Sequence, residues 1–253
     1  MSRFVTQGLR ALVVLALALV STQALAVDYA DFGRADNVVK KTFKLTGDFG
    51  TCGGSGTPDT EVRTFKQNDL GGGVVQEIQT RRRYAGGSSG ALCVTFVAVF
   101  IKTATENMLV QNIRYDQLGN VVWNIKTGYD SVDCPHCGIV LANSSMLDGI
   151  DWASASDWYE KIGATRGMVI SKGVLLRSGF AETINEGRAS EETFLNCMEV
   201  WEDRRSNSVF GNRSVLRRAC EDVGTVFIAQ VDDRGGLPNE KLWELVYYKV
   251  EVP

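Results

Sequence analysis

Histidine is nearly absent from this sequence, and its scarcity limits the chemistry that the chain can perform. The 253 residues include one histidine, His136, and four prolines. A Ser-His-Asp triad would have to use His136, which stands between two closely spaced cysteines. Glycosidase chemistry needs two carboxylates that folding brings together, so a hydrolase with unidentified carboxylates stays open. Whether the chain is an enzyme is therefore undecided, and its residues favour a non-enzymatic role.

Long apolar runs and an excess of positive charge are also missing after residue 26. The most apolar later stretch, residues 91–101, is too short to cross a bilayer as a helix, so we predict no membrane span in the mature chain. Removing Arg3 and Arg10 with the leader leaves 25 of the 27 basic residues against 30 acidic ones. This balance argues against a nucleic-acid-binding protein. The basic run at residues 81–83 is interpreted as a solvated strand end.

The N-terminus has the pattern of a secretory signal. Arg3 and Arg10 precede an apolar core at residues 11–20, and an Ala-Leu-Ala cleavage site follows at residues 24–26. We predict a signal peptide over residues 1–26. The remainder, residues 27–253, is then one β-rich domain that is periplasmic or secreted, from a bacterial source. A sub-boundary is placed near residues 143–165.

Six cysteines in an exported chain indicate an oxidising compartment and up to three disulfides. Cys197 and Cys220 lie on the apolar faces of two predicted helices, and the connector at residues 207–212 falls midway between them. An antiparallel hairpin would bring them side by side, so we predict a Cys197–Cys220 disulfide. Cys52 then pairs with Cys93 by exclusion, which would tie a glycine-rich loop to the most apolar strand.

The remaining cysteines form a closely spaced pair, Cys134-Pro-His-Cys137. Such a pair can close a local disulfide, present a reactive thiolate or supply half of a tetrahedral metal site. The following glycine makes the motif similar to a zinc knuckle, but no second closely spaced pair completes four ligands. We therefore predict no metal and no cofactor, and favour a structural disulfide that pins a surface loop.

The Pro-His dipeptide between these cysteines resembles the active site of the periplasmic thiol oxidases of the thioredoxin fold. The resemblance covers four residues. It implies that Cys134 is the reactive thiolate, that His136 stabilises it and that Cys137 resolves the mixed disulfide. In that family the motif follows a buried strand and opens a long helix. Here a polar run at residues 129–133 precedes it and a strand-like segment follows, which favours the structural interpretation with no catalytic residues.

Hydrophobic periodicity predicts an α+β fold, with strands first and helices late. Turn signals separate about ten strands of a mainly antiparallel sheet, either a sandwich or barrel-like. A short helix is predicted near residues 154–163, where Ser154 and Asp157 fit a capping box. A late helical hairpin is predicted from residues 189–205 and 214–223. Glu199 and Asp203 would lie on the exposed face of its first helix. The predicted strands cover residues 38–45, 61–66, 74–84, 91–101, 108–114, 121–126, 167–180, 225–231 and 242–250.

Three classes of function remain open. The leading hypothesis is an exported, disulfide-stabilised binding or structural protein, with an unknown protein or glycan ligand. The second is a thiol-disulfide redox protein that uses Cys134, His136 and Cys137. The third is the hydrolase with unidentified carboxylates.

Overall fold

In the computed structural model, all regular secondary structure that is described consists of β-strands. The structure describes residues 38–52, 54, 56–103, 106–127, 138–143, 151–160, 165–206, 212–221, 223–231 and 241–250. The strands are β1 (Val38–Gly47), β2 (Thr60–Gly71), β3 (Val74–Ala85), β4 (Ala91–Lys102), β5 (Glu106–Tyr115), β6 (Val121–Thr127), β7 (Ile139–Asn143), β8 (Asp151–Glu160), β9 (Thr165–Ile184), β10 (Glu192–Ser206), β11 (Arg213–Cys220), β12 (Gly224–Val231) and β13 (Lys241–Val250). The described residues are all-β, so the predicted α+β class is wrong.

The strands form one antiparallel sheet that curls back on itself. Twelve strands follow chain order around the ring, from β1 to β6 and then from β8 to β13, and β13 pairs with β1. The described pairing of β4 with β5 completes this barrel-like closure, while β7 pairs with another part of β5. A closed sheet leaves no long unpaired edge, and it turns one face of every strand towards a common interior. The barrel-like option among the sequence predictions therefore describes the sheet, without the helices.

Alternation along the strands divides the side chains between the interior and the outside. On β1, Phe43 and Leu45 are buried while Lys44 is exposed. Phe43 and Leu45 belong to an apolar cluster that also contains Trp243 and Leu245 of β13. Full burial of a side chain of this size contributes roughly 1.5–3 kcal/mol, so this cluster is a major source of stability.

The predicted helical hairpin is wrong, because β10 and β11 occupy its two segments. They pair antiparallel from Cys197 opposite Cys220 to Arg204 opposite Arg213. The helix-like spacing arises from register shifts in the pairing of β10 with β9, which begin between Phe194 and Cys197. An extra residue in a strand shifts the buried face by one position, and this turns a two-residue period into the three- and four-residue spacing of a helix.

The predicted short helix near residues 154–163 is also wrong, because β8 spans Asp151–Glu160. Its residues pair with β9 along its whole length, from Asp151 opposite Val174 to Glu160 opposite Thr165. Ladder hydrogen bonds thus override a local capping signal worth about 1 kcal/mol. In the described ranges we find no helix with the length and apolar character to traverse a lipid bilayer.

Several sequence predictions fall on residues outside the described ranges. These include the signal peptide at residues 1–26 and the motif with Cys134, His136 and Cys137. They remain predictions.

Candidate functional site

A cavity of about 180 Å³ lies inside the closed sheet. Side chains of β1 to β5 line one part of it and side chains of β10 to β13 line the other. This volume is many times the roughly 10–15 Å³ that one water needs, and it is smaller than the roughly 300–1,000 Å³ of pockets for drug-sized ligands. The cavity has room for a small ligand.

Cationic side chains dominate the wall of this cavity. They come from strands that are far apart in sequence, and the two carboxylates on the wall are Glu77 and Glu202. We call this space the basic cavity, defined by its seven cations Lys41, Arg63, Arg81, Lys102, Arg204, Arg213 and Arg217. Strand alternation explains part of the set, since Arg213 and Arg217 flank the inward-facing Val215 at two-residue intervals.

Three of the cations have carboxylate partners at ion-pair distance. Lys102 Nζ lies 2.6 Å from Glu77 Oε2, and Arg217 Nε lies 2.9 Å from Glu202 Oε1. The Nε atom of Arg63 lies 2.6 Å from Oε1 of Glu61, which is fully buried behind the cavity wall. These pairs balance part of the positive charge.

Glu61 is the buried carboxylate that binds the arginines of β2 and β3. It accepts hydrogen bonds from Arg63 and from Arg83 Nε at 2.8 Å, and from the Trp243 indole nitrogen at 3.2 Å. Burial opposes its ionisation, but the charges of Arg63, Arg83 and Arg81 outweigh burial and hold its pKa well below the ordinary value. Glu61 is therefore ionised in the folded protein.

The other guanidinium groups on the wall lack such partners. The guanidinium groups of Arg81, Arg204 and Arg213, which we call the guanidinium cluster, form no hydrogen bond or ion pair with any residue that the structure describes. The Nε atoms of Arg81 and Arg204 are buried without a hydrogen-bond partner. The Arg213 guanidinium lies 5.0 Å from the Trp243 ring centroid, and that of Arg81 lies 5.3 Å from the centroid of Phe96. The aromatic rings thus give these two guanidinium groups part of the electrostatic stabilisation that a carboxylate partner would give.

The pKa values record an excess of buried positive charge. Burial, and then the charges of Arg204, Arg217, Arg81 and Arg83, lower the pKa of Arg213 to about 9. Burial also lowers the pKa of Arg81 to about 9, against the opposing charge of Glu61. Both groups stay protonated at neutral pH. An anion entering the cavity would relieve this unfavourable charge.

Lys41 is the cation on the wall whose pKa falls near neutrality. Its Nζ donates a 3.1 Å hydrogen bond to the carbonyl oxygen of Thr225, and the side chain is buried. Burial, followed by the charge of Arg63, lowers its pKa from 10.5 to about 7. Lys41 therefore loses or gains its charge as the pH changes within the neutral range.

The basic run at residues 81–83 was interpreted wrongly as a solvated strand end. Successive residues of a strand point to opposite faces, so Arg81 lines the cavity and Arg83 pairs with the buried Glu61 while Arg82 is exposed. The expectation that Asp203 is an exposed helix charge is also wrong. It is buried, and it accepts a 2.9 Å hydrogen bond from Ser214 Oγ on the neighbouring strand.

Four cysteines form disulfides, and none of these four lies on the wall of the basic cavity. The structure contains the disulfides Cys52–Cys93 and Cys197–Cys220, the same pairs that the sequence analysis proposed. Cys197 and Cys220 face each other in the register of two antiparallel strands, so the helical geometry behind that proposal does not apply. The part of the chain that the structure describes has no cluster of three or more His, Cys, Asp or Glu side chains able to hold a metal ion.

Sequence reasoning missed the basic cavity because its cations are scattered along the chain. A usable signal existed at Lys41, which shares a strand face with Phe43 and Leu45 and so falls on the apolar side of β1. Arg213 gave a weaker signal of the same kind, two residues before Val215 on β11. A charge on the apolar face of a strand indicates either a buried pair or a polar site.

No family model and no curated protein matches this chain. Two solved structures are similar to it. One is a "putative exported protein with YmcC-like fold" from Bacteroides fragilis NCTC 9343, with 11% identity, a TM-score of 0.47, and coverage of 84% of this chain and 94% of that chain. The other is a "putative lipoprotein" from Parabacteroides distasonis ATCC 8503, with 11% identity, a TM-score of 0.46, and coverage of 86% and 98%.

Proposed function

We propose that this protein is an exported binding protein that holds a small anionic ligand in the basic cavity. The observation that carries the proposal is the guanidinium cluster, three arginines that line the cavity from both parts of its wall with no carboxylate at ion-pair distance among the described residues. Unpaired buried charge is costly, and it is retained where a ligand supplies the counter-charge. The signal pattern at residues 1–26 and the two disulfides support export.

Guanidinium groups suit this role because their chemistry matches oxyanions. Each presents several N–H donors in a planar fork that binds carboxylate, phosphate or sulfate through two parallel hydrogen bonds. Phe65, Phe100 and Trp243 add apolar surface to the lining of the cavity. The ligand is therefore an oxyanion with room for an attached organic part.

The test is a titration of the exported protein with inorganic phosphate and sulfate, followed by calorimetry and by thermal unfolding. We expect both anions to raise Tm of the wild type, because a ligand that binds the folded state stabilises it. The variant Arg213→Gln should lose this response. The matched control is Arg82→Gln, which removes an exposed arginine from the opposite face of β3 and should respond like the wild type.

Stability without ligand separates a binding role from a structural one. If Arg213 is kept for binding, Arg213→Met removes repulsion from Arg204 and Arg217 and should raise the Tm of the empty protein, by about 2–4 °C for each kcal/mol gained. If Arg213 were kept for structure, the same variant would lower Tm. Absence of any anion response in the wild type would also contradict the proposal.

A further inference from the structure

Like charges face each other across neighbouring strands on both parts of the cavity wall. Lys41 of β1 lies opposite Arg63 of β2, and Arg63 lies opposite Arg81 of β3. We call these three residues the first cation row. The second cation row consists of Arg204 of β10 and Arg213 of β11, which also lie opposite each other. All five side chains line the basic cavity. Opposed residues on one face have Cβ atoms roughly 4.5–5.5 Å apart, so like charges in such pairs destabilise the sheet.

The carboxylates near the cavity do not balance this charge. Glu77 and Glu202 lie on the wall with the seven cations, and Glu61 lies behind it in contact with Arg63 and Arg83. Among the residues that the structure describes, eight cations are thus set against three carboxylates, which leaves an excess of five positive charges when every cation is protonated. Charges of one sign repel each other strongly in an interior where water screens them poorly.

The two cation rows act on each other through Arg217. Burial is the largest cause of the lowered pKa values of Lys41, Arg63, Arg204 and Arg213, and the charge of Arg217 lowers all four further. Arg217 therefore lies within electrostatic reach of both rows. A ligand bound between the rows interacts with both of them at once.

A ligand in the cavity can reach the guanidinium cluster through its terminal nitrogens. The Nε atoms of Arg81 and Arg204 are enclosed, but no Nη atom of these described side chains is enclosed in the same way. Arg81, Arg204 and Arg213 each keep part of their surface accessible. The Nη atoms carry most of the N–H donors of a guanidinium group, so the cluster can bind an oxyanion without its Nε atoms.

The volume of the cavity limits the ligand to a compact anion. Its 180 Å³ corresponds to about six waters, at roughly 30 Å³ each in the liquid. This room suits an anion of the size of phosphate or diphosphate, and it is too small for a nucleotide or a disaccharide. A compact ligand can balance a large positive charge only if it carries several negative charges on few atoms.

We propose, resting on the anion-binding function above, that the ligand is a compact polyanion of the diphosphate class. A monovalent anion leaves most of the excess positive charge in place, whereas diphosphate is mainly trivalent at neutral pH. Its two phosphoryl groups interact with the two cation rows. The charge of the ligand therefore sets the order of affinity among oxyanions that fit.

The experiment is calorimetric titration of the wild type with perchlorate, sulfate, phosphate and pyrophosphate, at neutral pH and constant ionic strength without divalent cations. Perchlorate and sulfate are both tetrahedral and similar in size, but sulfate carries one more negative charge. We expect sulfate to bind at least about tenfold more tightly than perchlorate, and pyrophosphate at least about tenfold more tightly than sulfate, because each added charge interacts with several cations. If the cost of removing water from the anion decided affinity, the weakly hydrated perchlorate would bind more tightly than sulfate.

Matched substitutions test whether the charge of the cavity decides this order. Arg204→Gln removes one positive charge and should reduce the ratio of pyrophosphate to sulfate affinity about threefold or more, since the trivalent ligand loses more. Arg204→Lys keeps the charge and should retain most of the ratio. Arg82→Gln removes an equal charge from the exposed face of β3, where solvent and salt screen it, and should leave the ratio unchanged. Thermal unfolding of each variant without ligand verifies that it is folded.

The outcomes distinguish this inference from the proposed function. If sulfate and phosphate bind and Arg213→Gln abolishes that binding, but pyrophosphate binds no more tightly than sulfate, the binding function stands and the polyanion inference is wrong. Equal affinities for perchlorate and sulfate would also refute selection by charge, as would an equal loss of the ratio in Arg204→Lys and Arg204→Gln. If none of the four anions binds, both proposals are wrong.

Discussion

Lys41 Nζ donates a hydrogen bond to the carbonyl oxygen of Thr225 at 3.1 Å, joining β1 to β12 across the interior of the sheet. The contact supplies a dipole but no negative charge. Glu77 also acts on Lys41, but burial and the charge of Arg63 have larger effects on its pKa. Lys41 is therefore a buried ammonium group whose charge is poorly compensated.

The variant Lys41→Met should stabilise the protein more at pH 6 than at pH 9. Between its folded pKa of about 7 and its ordinary 10.5, the unfolded chain binds more protons at Lys41, so the free energy of unfolding rises with pH in that window. Below pH 7 the full cost of charging Lys41 is present, and removing Lys41 removes it. Urea unfolding should show a gain about 2–3 kcal/mol larger at pH 6 than at pH 9.

The control for this measurement is Lys44→Met on the same strand, where the side chain is exposed and the substitution should change stability little. A gain for Lys41→Met that is independent of pH would contradict the lowered pKa.

The titration of Lys41 also affects anion binding. An anion raises the pKa of Lys41 towards its ordinary value, so affinity should be highest below pH 7 and should fall as pH rises.

Asn196 lies at the β-bulge that gives the buried residues of β10 a helix-like spacing. It has a positive φ of 50° at the register shift between Phe194 and Cys197, and its Nδ2 donates to Glu221 at 2.7 Å. In a helix, Asn196→Ala would stabilise the chain, because alanine has the highest helix propensity. In the observed strand, alanine is strained at positive φ, and we expect a loss of about 1 kcal/mol by chemical denaturation.

Glycine is the matched variant at this position, because it adopts positive φ without strain. Asn196→Gly loses the same hydrogen bond to Glu221, so the difference between the two variants isolates the backbone conformation. We expect Asn196→Gly to be more stable than Asn196→Ala. If Asn196→Ala were the more stable variant, the result would contradict a β-bulge at Asn196.

The bulge also explains which parts of the fold the sequence could predict. The first six strands were predicted with nearly correct ranges because alternation and glycine-rich turns are local signals. On β10 the register shifts put Phe194, Cys197, Met198 and Trp201 among the buried residues, and both faces of that strand are covered. A strand that is buried on both faces shows no two-residue alternation of apolar residues. The sequence pattern therefore predicted a helix in this segment.

The basic cavity could not be predicted from local patterns. Its cations lie between Lys41 and Arg217, and apart from Lys41 and Arg213 each one resembles an ordinary charge on a half-exposed strand. Which face of a strand is internal depends on how the ring closes, and strand order is a property of the whole chain. The sign of the net charge was misleading as well, since an overall acidic protein encloses a basic interior.

The disulfide Cys197–Cys220 should contribute about 3 kcal/mol to stability in the chain-entropy picture, for a sequence separation of 23 residues. The double variant Cys197→Ala/Cys220→Ala should lose this amount in urea unfolding under oxidising conditions. The Cys52–Cys93 disulfide closes a longer loop, with a separation of 41, so Cys52→Ala/Cys93→Ala should lose slightly more. Reductant should bring the wild type close to the variants. Non-reducing peptide mapping provides the independent check, and any peptide that links Cys197 to a cysteine other than Cys220 would contradict the structure.

Glu61 provides the sharpest test of charge balance behind the cavity. Glu61→Gln leaves Arg63 and Arg83 without their carboxylate, and removing one partner of a buried ion pair costs about 3–5 kcal/mol. The pKa of Glu61 is lowered in the folded state, so its stabilisation is present above its ordinary pKa of 4.5 and is lost as pH falls below that value. Urea unfolding should therefore show the largest gap between wild type and variant at pH 7, and a gap smaller by about 2 kcal/mol at pH 3. The control Glu244→Gln changes an exposed carboxylate on β13 and should cost little at either pH. A Glu61→Gln gap that is equal at both pH values would mean that Glu61 is not held ionised by its arginines.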